Sequence, residues 1–223
     1  MRMLLISEGS RDNLFLRGLF TELGIVNLEG KIDFFDQETD ASATEKNYAE
    51  TKKMAKFTDL EYTEYTYKML VKSEGGKPSA LGVFKTFIVH LKRAQIHLLL
   101  DLDNIDPRRI DDDLEKTKSK LEGTLRNRQY KVLHWENFEL SESLITLKAF
   151  VAPTHQRTAD KGNEASFYFT IFKKTLEKEA DIEEMENKEI KNEKIAKLLK
   201  SRRGIVHHFN QLFEKTGVMD ELV

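Results

Sequence analysis

Residues 96–103 read Ile-His-Leu-Leu-Leu-Asp-Leu-Asp, and this stretch decides the fold. Residues 96–100 form an apolar run that ends at Asp101. A short run of this kind is typical of a strand that is buried on both faces of a parallel sheet. The stretch therefore predicts a central strand whose carboxyl end carries two acidic side chains, Asp101 and Asp103.

The segments around this strand alternate between strand and helix patterns. Residues 12–23 place apolar side chains on one helical face, with Asp12 as the expected N-cap and Gly24 as the stop signal. Strands are predicted at 2–7, 62–72, 131–135 and 144–151, and helices at 80–91 and 110–125. This alternation over residues 2–152 favours an α/β fold, a mostly parallel sheet flanked by helices and Rossmann-like in architecture.

The rest of the chain predicts an insertion and an appendage. Residues 27–60 are polar apart from a short strand pattern at 32–35, so we interpret them as an insertion. From Phe167 to Arg203 the pattern becomes helical and highly charged, and residues 205–213 predict a short helix packed back on the body. We therefore expect an α/β domain at 1–152 and a charged helical extension at 153–223, packed on that domain.

Composition excludes several classes of protein. The chain has no cysteine, which excludes disulfides, a cysteine nucleophile and cysteine-ligated metal clusters. It has neither the roughly 20-residue apolar stretch of a membrane span nor a signal-peptide pattern, so we expect a cytoplasmic protein without a membrane partner. With a net charge of −2, any binding of nucleic acid depends on local basic patches.

Chemistry is expected where the strands end, because ligands of open α/β sheets bind outside the carboxyl ends of the strands. Glu8 follows the first strand, and Asp101, Asp103 and Asp106 follow the apolar strand. Carboxylates in this arrangement suit Mg²⁺, or Mn²⁺, which prefers oxygen ligands. The alternative is structural: one aspartate caps the following turn, the other is solvated, and Glu8 interacts with a helix dipole.

A glycine-rich turn, Gly75-Gly76-Lys77, lies at another strand end. It is not a P-loop, since Pro78 stands where that motif has Ser or Thr. The simpler interpretation is a turn into a helix that begins near Pro78. The second is a phosphate contact by Lys77, because a helix N-terminus favours anions and Lys77 would lie at the metal-binding edge.

Taken together, Glu8-Gly9-x-x-Asp12 after the first strand and Asp101-x-Asp103 after a later one make the sequence resemble the TOPRIM family. TOPRIM domains are the magnesium-binding domains of bacterial primases, topoisomerases and certain nucleases. The resemblance covers about residues 1–152 and is greatest to the compact nuclease-like or uncharacterised branch. It implies that Asp101 and Asp103 bind the metal, while Glu8 binds a second metal or acts as general acid/base in phosphodiester cleavage or transfer.

Two features depart from the family pattern. The spacing between the two motifs is long. The residues after Asp103 do not reproduce the third acid and the glycine of the topoisomerase form, and Asp106 is the candidate for that third acid. The expected partner is nucleic acid, DNA or RNA, for which basic residues at 116–131 and 194–203 are candidate contacts, although such runs are usually solvated helix faces.

Two other functions compete with this hypothesis. The first is a haloacid-dehalogenase-type phosphatase, in which Asp101 would be the covalent nucleophile and Asp103 a general acid. That family's motif normally has Thr or Val at the position of Ile105, and we find no later strand that ends in paired acids. The second is a non-catalytic module that binds nucleic acid or nucleotide.

Overall fold

A computed structural model describes residues 2–25, 28–35, 43–58, 67–102, 109–155, 164–183 and 185–222. The strands are β1 (Met3–Ser7), β2 (Ile32–Phe35), β3 (Met69–Ser73), β4 (Gln95–Asp101), β5 (Tyr130–Leu140), β6 (Leu144–Pro153) and β7 (Ala165–Phe172). The helices are α1 (Ser10–Glu22), α2 (Leu28–Lys31), α3 (Ala43–Thr58), α4 (Lys77–Phe87), α5 (Ile110–Arg126), α6 (Leu176–Glu179), α7 (Lys188–Ser201), α8 (Arg203–Lys215) and α9 (Met219–Leu222).

The seven described strands form one sheet in the order β2-β3-β1-β4-β7-β6-β5. The first five strands in that order pair in parallel, while β6 pairs antiparallel with both β7 and β5. The protein is therefore α/β with a mostly parallel sheet, as the alternating pattern predicts. Because β1, β3, β4 and β7 run in the same direction, their carboxyl ends meet at one edge of the sheet.

Helices cover both faces of the sheet, which explains why the central strands are apolar on both sides. Strand β1 is buried along its whole length. Its residues Met3 and Leu5 pack in a core with α1, α7 and α8, while Leu4 and Ile6 pack in a second core with α3, α4 and α5. Burial of both faces favours the apolar runs of β1 and β4 over an alternating pattern.

Helix α1 begins earlier than the sequence pattern predicts. Gly9 is the N-cap residue, and the Gly9 N–H donates to Asp12 Oδ2 over 3.0 Å. Asp12 therefore lies in the first turn and binds back to the cap, so its prediction as the N-cap is wrong. The predicted stop is confirmed, since Gly24 follows the helix with a φ of +75°, a conformation that favours glycine.

The start of the predicted C-terminal helical region is also wrong. Residues 165–172 form strand β7, which pairs with β4 on one side and β6 on the other. Their composition carried the signal, since Phe167, Tyr168, Phe169, Thr170 and Ile171 are aromatic or β-branched, as strands favour. The helical part begins at α6, and α7 and α8 cover one face of the sheet.

Other elements lie close to their predicted positions. The strand at 32–35 is confirmed as β2, which extends the parallel sheet beyond β3, so the segment interpreted as an insertion contributes to the sheet. The strand predicted at 62–72 begins at Met69, and residues 59–66 lie outside the described part. The division of the chain at residue 152 stays a prediction. No helix within the described ranges is both long and apolar enough to cross a membrane.

Candidate functional site

The carboxyl edge of the sheet brings together three of the residues predicted from sequence. Glu8 follows β1, Lys77 opens α4 just after β3, and Asp101 ends β4. Strands β3 and β4 flank β1 directly in the sheet, so the three residues come from neighbouring strand ends. The predictions for Asp103 and Asp106 fall outside the described residues.

Glu8, Lys77 and Asp101 are linked by direct contacts. Glu8 Oε1 accepts a hydrogen bond from the Asp101 backbone N–H over 2.8 Å. Lys77 Nζ donates to the Asp101 carbonyl oxygen over 2.5 Å and lies 3.8 Å from Glu8 Oε1. The Lys77 side chain is only 7% exposed, so its ammonium group is held at the edge of the sheet and fixes the end of β4 against Glu8.

The turn before Lys77 adopts the conformation that its glycines allow. Gly76 is the N-cap of α4 with a φ of +116°, which side-chain-bearing residues rarely adopt. The Gly76 N–H donates to the Glu8 carbonyl oxygen over 2.6 Å, which ties this turn to the end of β1. The predicted turn into a helix is confirmed, and it is what places Lys77 beside Glu8.

Asp101 is held in acidic and poorly solvated surroundings. The pKa of Asp101 is raised to about 9, mainly by burial and then by the charges of Asp12, Glu8 and Glu177. A hydrogen bond from the Leu176 backbone acts in the opposite direction. The Oδ1 atom of Asp101 is buried without a hydrogen-bond partner in the described part of the chain. Asp101 therefore carries a proton at neutral pH unless a cation supplies the missing positive charge.

Asp12 has a similar environment. Burial raises its pKa to about 7, with further increases from Glu8 and Glu177, although the hydrogen bond from Gly9 acts in the opposite direction. Asp12 is 6% exposed. The cluster of Glu8, Asp12, Asp101 and Glu177, which we call the carboxylate edge, thus holds more acid groups than it can ionise together.

Glu177 is the member of the carboxylate edge that the sequence analysis missed. It lies in α6, just beyond the end of β7, and β7 pairs with β4. Arg11 donates to Glu177 Oε1 over 2.6 Å. Burial acts to raise the pKa of Glu177, but the bond from Arg11 and other hydrogen bonds outweigh burial, so the pKa is lowered. Recognising 165–172 as a strand would have identified Glu177 as a strand-end acid.

The carboxylate edge provides part of a metal site. Among the residues that the structure describes, no group of three His, Asp or Glu side chains has the spacing of a metal centre. The free Oδ1 of Asp101 and the excess of acid groups nevertheless suit a hard cation, because a divalent ion would neutralise carboxylates that otherwise bind protons.

The two basic stretches are partly neutralised by nearby acids. On α5, Lys116 lies 3.4 Å from Asp113 and Lys118 lies 2.7 Å from Glu115. Near the end of α7, Arg202 lies 3.6 Å from Glu179. The two pairs on α5, each three residues apart, are typical of a solvated helix face, the simpler of the two interpretations, whereas Glu179 is buried and joins Arg202 to α6.

The fold and its strand-end acids define an α/β protein with a carboxylate edge beside a buried lysine. No protein-family model and no curated protein matches the chain. A solved structure with some similarity is the solution NMR structure of a de novo designed protein with a P-loop NTPase fold. It is 17% identical, with 54% of this chain and 75% of the designed chain covered and a TM-score of 0.28.

Proposed function

We propose that this chain is a TOPRIM-like protein that binds Mg²⁺ or Mn²⁺ at the carboxylate edge and hydrolyses or transfers phosphodiester bonds of nucleic acid. The observation that carries the proposal is the state of Asp101. Its pKa of about 9 and its unpartnered Oδ1 indicate that the positive charges of Lys77 and Arg11 do not balance the acids around Asp101. The order of Glu8, Gly9, Asp12 and Asp101 along the chain, which resembles the TOPRIM pattern, supports this choice of metal and substrate.

In this proposal each residue has a separate task. Asp101, with Asp103, would hold the cation, and Glu8 would hold a second cation or exchange a proton with the reacting oxygen. Lys77 positions both groups, since it bonds the Asp101 carbonyl oxygen and lies beside Glu8. A bound divalent cation supplies charge neutralisation of the phosphate oxygens and a lower pKa of the attacking water.

The first test measures metal binding through stability. We expect Mg²⁺ and Mn²⁺ to raise the melting temperature of the wild-type protein at pH 8, and Asp101→Asn to abolish most of that increase. The matched control is Asp112→Asn, since Asp112 is an exposed acid in the first turn of α5. Equal metal stabilisation of all three proteins would contradict the proposed site.

The second test measures activity with Mn²⁺ on single-stranded DNA, double-stranded DNA, RNA and a small phosphate ester. Cleavage of a nucleic acid that is lost in Asp101→Asn but retained in Asp112→Asn is the expected result. Turnover of the phosphate ester alone, with a trapped phospho-aspartate, would replace the proposal with a haloacid-dehalogenase-type phosphatase. Metal binding without turnover would reduce it to a binding module.

A further inference from the structure

A cavity between α1 and α7 lies outside the carboxylate edge and has a different chemical character. Its volume is about 820 Å³, within the range of about 300–1,000 Å³ that is typical of small-molecule sites. From α1 it is lined by Arg11, Leu14, Gly18 and Thr21, which recur three or four residues apart on one helix face. The cavity therefore runs along α1, away from the end that carries the acids.

The rim of this cavity is cationic. Four of its lining residues are basic, namely Arg11, Arg17, Lys188 and Lys191, and none of its described lining residues is acidic. Arg11 is paired with Glu177, whereas the Arg17 guanidinium lies 3.9 Å from the centroid of the Phe34 ring. A concave surface lined by one sign of charge concentrates ligands of the opposite sign. The ligand that this rim suits is an anion.

A buried amide group lies in the wall of the same cavity. Asn13 lines the cavity and is only 2% exposed. Both its Oδ1 and its Nδ2 are buried without a hydrogen-bond partner among the described residues. Leaving an acceptor and a donor unpaired costs free energy. A ligand with a planar donor and acceptor edge, such as a nucleobase, would recover it if the amide turned towards the cavity on binding.

Thr21 and Asn192 add polar groups to the lining, and the rest of the wall is apolar. Leu14, Ile195 and Ala196 contribute to it beside Gly18. A Cβ atom at Gly18 would lie 3.0 Å from Leu199 Cδ1, so the glycine allows α1 and α7 to approach closely below the cavity. The cavity thus combines a cationic rim, an apolar wall and one unpaired amide, whereas a simple counterion site requires the charge alone.

We propose that the cavity between α1 and α7 binds a phosphate-bearing nucleotide, with the phosphates at the cationic rim and the base against the apolar wall near Asn13. The nucleotide is either free in solution or the end of a nucleic-acid strand, and both sources present the same chemistry. The cavity needs no metal, so this inference goes beyond the proposed function of the carboxylate edge.

Calorimetric titrations with adenosine, ADP and a 5′-phosphorylated hexanucleotide test this proposal, on the full chain in EDTA. We expect ADP or the hexanucleotide to bind at least tenfold more tightly than adenosine, because two phosphate-binding cations give about fivefold each. Tighter binding of ADP identifies a free nucleotide as the ligand, and tighter binding of the hexanucleotide identifies a strand end. Failure of both to bind at millimolar concentration would overturn the proposal.

Two double variants of α7 separate the cavity from general electrostatic attraction. Lys188→Gln with Lys191→Gln removes two charges from the cavity, while Lys197→Gln with Lys200→Gln removes two charges from a different face of the same helix. We expect the first pair to weaken binding about 25-fold and the second to change it less than about twofold. Equal weakening by both pairs would overturn the proposal.

The proposal of a metal site at the carboxylate edge can be wrong while the proposal of a nucleotide site in the cavity is right. Nucleotide binding in EDTA and metal binding are separate measurements, because neither Glu8 nor Asp101 lines the cavity. Nucleotide binding in a protein that neither binds metal nor cleaves nucleic acid would therefore support the cavity and contradict only the carboxylate-edge proposal. If the Lys188 and Lys191 double variant lost both nucleotide binding and nucleic-acid cleavage at an unchanged melting temperature, the cavity and the carboxylate edge would bind the same substrate.

Discussion

Asp101 couples the proposed chemistry to stability through a single carboxyl group. Burial and three neighbouring acids raise its pKa from the ordinary 3.8 to about 9. Between these values the folded protein binds a proton that the unfolded chain releases, so stability falls as pH rises. The fall is at most about 1.4 kcal/mol per pH unit for one proton. Asp12 is half-ionised near pH 7 and loses most of the remaining proton by pH 8, so Asp101 is the main contributor of the two above pH 7.

Asp101→Asn is therefore expected to flatten this pH dependence. In metal-free buffer, the free energy of unfolding of the wild-type protein should decrease between pH 7 and pH 9, since ionised Asp101 is poorly solvated in its buried position and is repelled by its neighbours. The variant has no proton to lose at position 101, so only the smaller contribution of Asp12 should remain. Urea unfolding at pH 7, 8 and 9 measures this, with Asp112→Asn expected to follow the wild type. A variant that loses stability as steeply as the wild type would show that the high pKa belongs to another group.

Asn13 allows a second prediction at the residue scale. Leucine has the same number of side-chain heavy atoms, the same branching and no polar atoms, so Asn13→Leu removes two unpaired buried groups from the wall of the cavity. We expect it to stabilise the free protein by about 1–2 kcal/mol in chemical unfolding, while ADP binding weakens. Such a gain in stability with a loss of binding is typical of a residue kept for its ligand. A loss of stability would instead show that Asn13 has a structural partner.

At the scale of the elements, a buried chain of hydrogen bonds crosses three strands and one helix. His97 Nε2 in β4 lies 2.7 Å from Thr170 Oγ1 in β7, which lies 2.6 Å from Thr146 Oγ1 in β6. Thr146 Oγ1 in turn lies 2.7 Å from His208 Nε2 in α8. The three hydrogen bonds need three hydrogen atoms, and the hydroxyl groups of Thr146 and Thr170 supply two of them. One histidine must therefore donate through Nε2 while the other accepts there.

Both histidines resist protonation because they are buried, and the chain of bonds leaves no acceptor for an added proton. Burial lowers the pKa of His97 to about 3 and that of His208 to about 4. Neither Nδ1 atom has a hydrogen-bond partner among the described residues. An added proton would thus create a buried N–H without an acceptor or would break the chain of bonds. Below pH 6.5 the unfolded chain binds these protons first, so the two histidines favour unfolding in acid.

Thr170→Val should expose the contribution of this chain of bonds. Valine keeps the shape of threonine but leaves His97 Nε2 and Thr146 Oγ1 without their shared partner. We expect a loss of roughly 1–3 kcal/mol in the free energy of unfolding, measured with urea at pH 7. Thr124→Val, at a half-buried position of α5, is the control and should cost less, because its hydroxyl only donates to the carbonyl oxygen of Lys120 in the same helix. A neutral Thr170→Val would mean that water replaces the hydroxyl.

The sequence predicted those elements whose pattern is local. Strand β4 was identified from its own apolar run. Because parallel strands end at one edge of the sheet, Glu8, Lys77 and Asp101, which lie at or just after three strand ends, could then be predicted to lie there together. Glu177 was missed because its position depends on β7 lying beside β4, a pairing between segments about 70 residues apart that no local pattern specifies. The hairpin of β5 and β6 was predicted as two strands, but the first was predicted to end at residue 135. Since β5 continues to Leu140, the three-residue connection that sets the antiparallel pairing was missed.

At the scale of the whole molecule, the near-zero net charge conceals separate surfaces. The carboxylate edge gathers acids around Asp101, while the rim of the cavity between α1 and α7 gathers cations. Arg11 links the two, since it lines the cavity and pairs with Glu177 of the carboxylate edge. A ligand bound in the cavity and a cation bound at the carboxylate edge would therefore act on the same ion pair, which makes coupling between the two sites physically possible.

The final prediction concerns the division of the chain at residue 152. Strand β7 lies between β4 and β6, and Ile195, Leu199 and Phe209 of α7 and α8 are buried against α1 and the sheet. A fragment of residues 1–152 would expose that core face and leave β4 and β6 without their shared partner. We expect it to aggregate or to lack cooperative unfolding, whereas the full chain unfolds in one transition by both circular dichroism and tryptophan fluorescence. A fragment that unfolds cooperatively would show that residues 1–152 form an independent domain and that the helical extension is an addition to it.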